Sequence, residues 1–147
     1  MKKILLIAIV AFLSTSLAFS QSIVGRWKTI DDETGKAKSV VEITKKDGKL
    51  YGKIVKLYRE KGEDKDPTCT ECTDYRKGKK IIGMTIITGL VQDGDEWEAD
   101  DAILDPKNGS IYDCKIWLDE DNSNILNVRG YIGFFFRTQT WHRAKAK

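Results

Sequence analysis

The chain has 147 residues, with 25 basic and 22 acidic side chains and a formal net charge of +3 at pH 7. That length supports one domain with a hydrophobic core but not two. Lys2 and Lys3 belong to a leader segment; without them 23 basic residues face 22 acidic ones, a net of +1, and no electrostatic basis for nucleic-acid binding remains.

Residues 1–20 read as a secretory signal peptide. Lys2 and Lys3 form the basic start, residues 4–13 form an apolar run of ten, and Ala18 and Ser20 are small residues at −3 and −1 of a cleavage site before Gln21. Ten apolar residues fall short of the roughly 20 that a bilayer-spanning helix needs. The expected mature chain, residues 21–147, is one periplasmic or secreted domain. Its first cysteine is Cys69, so a lipid anchor on a processed N-terminal cysteine is excluded.

Eight strands are expected, at residues 24–30, 38–45, 50–58, 81–90, 96–104, 111–118, 125–132 and 134–143. In the second, Val41 and Ile43 face one way and Glu42 and Thr44 the other. Asp47-Gly48 and Asp93-Gly94 are hairpin signals, and Asp105-Pro106-Lys107-Asn108-Gly109 is a turn in which proline presets φ and Asn-Gly tolerates positive φ. Gly83 and Gly89 interrupt an apolar run, as bends in a barrel strand do. Consecutive hairpins predict an all-β, up-and-down antiparallel barrel of about eight strands, whose closure removes exposed sheet edges. A Gly25-x-Trp27 opening strand in such a calyx places Trp27 as a structural plug at the closed end, often covered by an arginine from a late strand.

Residues 60–79 interrupt the meander. This polar connection of twenty residues carries six acidic and five basic side chains, and reads as a solvated loop stapled by a disulfide or as a functional lid or protein-binding loop. It contains Cys69-Thr70-Glu71-Cys72. Three cysteines in an oxidising compartment predict one disulfide, with Cys69–Cys72 the simplest pair; a link from Cys114 to either remains open at this level. A redox motif is disfavoured by the polar loop setting, and a zinc site by the lack of a neighbouring fourth ligand, His142 being the only histidine. The segment from Asp119 to Asn124 resembles a calcium loop but lacks its sixth-position glycine and twelfth-position glutamate. No hydrolase, zinc-protease or phosphate-loop motif is present, so no catalytic residue, metal or cofactor is expected.

The last two strands carry the binding expectation. Arg129 and Tyr131 share one face of the seventh strand against Leu126, Val128 and Ile132; Arg137, Gln139, Trp141 and Arg143 share one face of the eighth. An eight-stranded barrel has room for one small ligand. Arg129, Tyr131, Arg137, Gln139 and Trp141 are therefore the candidate lining of a polar pocket for a small amphiphilic or anionic molecule, both arginines reaching one internal site. The alternative is an enzyme using that interior, with Tyr131 or a carboxylate as acid–base group.

The segments Gly25-Arg26-Trp27, Tyr51-Gly52-Lys53-Ile54, Cys69-x-x-Cys72, Leu104-Asp105-Pro106-x-Asn108-Gly109, Val128-Arg129-Gly130-Tyr131-Ile132-Gly133 and Thr140-Trp141 together resemble the bacterial domain of unknown function 2147 family. The resemblance implies an exported, lipocalin-like barrel and transfers no activity or catalytic residue.

Overall fold

The computed structural model describes residues 22–145; the expected signal peptide and its cleavage site lie outside them. Eight strands, β1 (Gly25–Ile30), β2 (Ala37–Lys46), β3 (Lys49–Leu57), β4 (Thr85–Asp93), β5 (Glu96–Asp105), β6 (Ser110–Leu118), β7 (Ile125–Ile132) and β8 (Phe135–Arg143), form a closed antiparallel barrel in sequential order. Alternation drives the pleat: Val41 and Ile43 on β2, Ile116 on β6, Leu126 and Val128 on β7 turn inward and are buried. No helix is long and apolar enough to cross a membrane among the described residues.

The two barrel ends differ. One end carries the tight turns Asp47-Gly48 and Asp93–Glu96, the 119–124 turn and both ends of the described chain. Here the core is densest, with Trp27, Ile43, Leu50, Leu90, Ile116 and Leu126 all at most 1% exposed. The other end carries the β1–β2 loop, the long β3–β4 connection, the β5–β6 turn and the β7–β8 turn, and is open. Closure is uneven as well. β1 meets β8 only at Trp27↔Arg143 and Lys28↔His142, at the closed end, so toward the open end the β8 edge runs free of β1.

Strand boundaries shift from the sequence expectation, the fourth strand's most, and two of the shifts have a clear cause. The fourth strand starts at Thr85 and not at residue 81: the Met84 amide donates to the Ile81 carbonyl across a turn with Gly83 at φ 91°. The apolar run thus begins as a connection. The last strand starts at Phe135, because Gly133 and Phe134 are the two residues of the β7–β8 turn.

The β3–β4 connection is folded onto the open end. Cys69 and Cys72 form the disulfide, while Cys114 is free and buried on β6. The Cys69 amide donates to the Lys79 carbonyl, Gly78 returns to Cys69, and Ile81 donates to Pro67. Arg76, only 7% exposed, grips both Asp74 carboxylate oxygens and donates Nη1 to the Thr85 carbonyl at 2.9 Å. This guanidinium holds Asp74 below the usual carboxylate range. The Cys69–Cys72 turn then packs on the β5–β6 turn. A Cβ on Gly109, which sits at φ 73°, would lie 1.9 Å from the Glu71 carbonyl oxygen, so only glycine fits.

Candidate functional site

At the open end the barrel encloses a cavity of about 670 Å³. Its inner walls are largely apolar side chains, including Ile54, Ile86, Leu104 and Val128, with Trp141 toward the floor. One side is polar. Trp141 Nε1 donates to Gln139 Oε1 at 3.0 Å, and Gln139 Nε2 donates to Asp32 Oδ2 at 2.8 Å. Arg137 Nη2 pairs with the same Asp32 oxygen. Across the barrel from the apolar wall, the buried Thr29 and Ser39 hydroxyls share a 2.7 Å hydrogen bond. Lys38, Arg59 and Lys107 stand around the mouth with Asp31 and Asp105.

This polar strip is possible because of where β1 and β8 separate. Asp32, on the β1–β2 loop, reaches across the seam to bond side chains on β8 where backbone pairing has stopped. The Arg137 side chain is 68% exposed and Asp32 32%, so their pairing contributes little to stability. The guanidinium is therefore available to exchange partners.

Arg137, Gln139 and Trp141 line the cavity as expected from the sequence; Arg129 and Tyr131 do not. The β7–β8 ladder opposes Leu126 to Trp141, Val128 to Gln139 and Gly130 to Arg137, which places those pairs inward. Arg129 opposes Thr138 and Tyr131 opposes Phe136, on the outer wall. Arg129 Nε donates to Thr138 Oγ1 at 2.7 Å, and its guanidinium lies 5.0 Å from the Trp117 ring centroid and 4.3 Å from that of Phe136. The expectation that both arginines reach one internal site is thus corrected. A two-residue turn always opposes an even-numbered residue to an odd-numbered one, so the odd residues of β7 and β8 cannot share a face.

At the closed end, Trp27 is fully buried and donates Nε1 to the Ile23 carbonyl at 2.8 Å. The covering arginine is Arg143. Its guanidinium stacks 4.2 Å from the Trp27 ring and donates to the Ser22 and Ser123 carbonyls. Burial pulls the Arg143 pKa below its usual value. Trp27 is absent from the cavity lining. The sequence places Arg143 on the face of Trp141 without marking it as the arginine over Trp27, and nothing local marks Asp32 or Arg76.

Residues 25–143 match the model of a bacterial family described as uncharacterized protein conserved in bacteria (DUF2147). The chain belongs to this family. The resemblance drawn from the motifs is thereby established over all eight strands. Protein HP1028 from the human pathogen Helicobacter pylori, described as belonging to the lipocalin family, superposes with a TM-score of 0.68 at 16% identity, covering 84% of each chain. At that identity the likeness shows the fold alone, a lipocalin-like barrel. A search of functionally curated proteins finds no match.

The chemistry on offer is that of recognition. The family's barrel here presents an apolar chamber, hydroxyl and amide groups that bond one another, and a cationic side chain at the mouth held by a replaceable carboxylate. Among the described residues, no group of three or more histidine, cysteine or acidic side chains is arranged to hold a metal ion.

Proposed function

We propose that this protein is an exported carrier of a small amphiphilic anion. The observation that carries the reading is the open cavity of about 670 Å³ with an apolar interior and a polar strip confined to one side. That size lies within the usual range of roughly 300–1,000 Å³ for small-ligand sites, which pair apolar walls with few orienting polar groups. The hydrocarbon part of the ligand runs along Ile54, Leu104 and Val128 toward Trp141. Its anionic group takes Arg137 from Asp32 and accepts from Gln139. The Cys69–Cys72 disulfide supports a periplasmic or secreted setting, where such bonds persist.

The test is calorimetric titration of saturated fatty acids, decanoate among them, into wild type and into Arg137→Ala and Arg129→Ala. Wild type binds, Arg137→Ala loses roughly tenfold or more in affinity, as truncating one partner of a charge-assisted pair does, and Arg129→Ala, altered only on the outer wall, binds as wild type. Absence of binding across the panel, or equal affinity in Arg137→Ala, overturns the proposal.

A further inference from the structure

Apart from Tyr75, the most exposed large apolar side chains of the described residues cluster at one point. Phe134 is 102% exposed, Phe135 80%, Ile132 62% and Phe136 60%, and all four belong to the β7–β8 turn or its first residue pairs. Monomeric proteins rarely leave such a cluster uncovered without a use for it.

Its shape narrows what could cover it. Gly133, at φ 55°, takes the first position of the two-residue turn and sets Phe134 at the tip. Ile132 and Phe135 oppose each other on the inward face, and Tyr131 and Phe136 on the outward face. The hairpin is thus apolar on both faces and at its end. It also projects freely, since β8 leaves β1 below this level. A folded partner covers one face of a sheet; a fluid apolar phase surrounds a projecting tip on every side.

Charge follows the same geometry. From Phe134 to Phe136 the strand advances two residues, roughly 7 Å at the usual rise. That equals the depth, about 5–10 Å, to which interfacial elements bury apolar groups among lipid headgroups and upper acyl chains. Behind the aromatic tip stand arginines on opposite faces, Arg137 inward at the next residue pair and Arg129 outward one pair deeper, where a phosphate layer would lie. Arg129 donates to Thr138 and lies over the Trp117 and Phe136 rings, opposite Lys115 on β6, and its charge faces outward. Finally, the inward pair Ile132 and Phe135 also lines the cavity, so an apolar path runs from the tip into the barrel.

We infer that the β7–β8 hairpin tip docks on a phospholipid bilayer, inserting Phe134, Phe135 and Phe136 between headgroups so that the cavity mouth opens onto the membrane. This rests on the carrier reading for its purpose, but its evidence is separate: the exposure, two-faced geometry and arginine placement of one hairpin. It makes the membrane the source or destination of the carried amphiphile.

The test is co-sedimentation of the mature protein with vesicles of phosphatidylethanolamine and phosphatidylglycerol, alongside decanoate titration without vesicles. Phe134 lies outside the cavity lining and is fully exposed, so Phe134→Ser leaves fold and decanoate affinity unchanged. Wild type sediments with vesicles, and Phe134→Ser partitions roughly tenfold or more weakly, the effect of withdrawing one large apolar side chain from burial. Arg129→Gln weakens partitioning onto phosphatidylglycerol-containing vesicles more than onto neutral ones. Docking is overturned if wild type fails to partition at about 1 mM lipid, or if Phe134→Ser partitions equally. It is also overturned if wild type ignores vesicles but forms a dimer that Phe134→Ser dissociates, which would make a second copy the occupant. Vesicle binding without decanoate binding leaves docking standing and removes the carrier reading; the reverse removes docking alone.

Discussion

Replacing Trp27 separates a structural plug from a ligand contact. In the folded barrel the indole is fully buried, donates to the Ile23 carbonyl and lies under the Arg143 guanidinium. Trp27→Ala deletes both rings, and large-to-small changes of this kind cost about 3–5 kcal/mol. The lost cation–π contact adds about 0.5–2 kcal/mol, depending on how far Arg143 relaxes into water. A central value of about 4 kcal/mol lowers Tm by roughly 10–20 °C for a domain of this size. Trp27→Phe keeps a ring beneath Arg143 but leaves the Ile23 carbonyl unpartnered, for an intermediate loss of about 1–3 kcal/mol. Urea melts followed by far-UV circular dichroism read these losses without depending on the deleted fluorophore. Decanoate affinity of the folded variants stays at the wild-type value, because the cavity lies above the plug. A loss below about 1 kcal/mol for Trp27→Ala, or a parallel loss of ligand affinity, would refute the assignment of the closed end.

Gly109→Ala drives a Cβ against the Glu71 carbonyl at a positive φ and costs about 2–4 kcal/mol, whereas Gly48→Ala, at φ 75° with open space around it, costs only about 1–2 kcal/mol; the two are compared in the same urea series. Burial pushes the Cys114 thiol from 9.0 up to about 12, so the fold retains a proton there that the unfolded chain releases. That contribution is complete below about pH 9 and is lost as pH rises toward 12, at about 1.4 kcal/mol per pH unit. The stability difference between wild type and Cys114→Ala, measured from pH 8 to 11, falls across that window; a difference independent of pH would show the thiol to be solvated.

How far the sequence carried the structure depended on the range of the interaction concerned. Turns announce themselves locally: Asp47-Gly48 and Asp93-Gly94 need positive φ, and the strands between them follow from alternation, which is why the strand number and up-and-down order were legible. The burial of Trp27 was legible because Gly25-x-Trp27 is a local pattern on one strand. The cavity lining was half legible, and the failure has a definite cause. Parity along a single strand is a local property, but relating two strands requires the turn between them. Phe134 reads as the start of the last strand because phenylalanine is a strong strand former; recognising Gly133-Phe134 as a two-residue turn reverses the side of Arg129 relative to Arg137. The apolar neighbours Leu126 and Val128 already pointed to that answer, since they claim the inner face of β7 and leave Arg129 outside. Asp32 and Arg76 were out of reach for a different reason. Asp32 acts on side chains over a hundred positions away, and Arg76 anchors a connection whose path is set by a disulfide and by a glycine on another hairpin. Neither leaves a periodic signal. The same turn that misled the parity argument also places three phenylalanines where no core can cover them, so the hairpin that excludes Arg129 from the cavity is the one that gives it a lipid phosphate to meet.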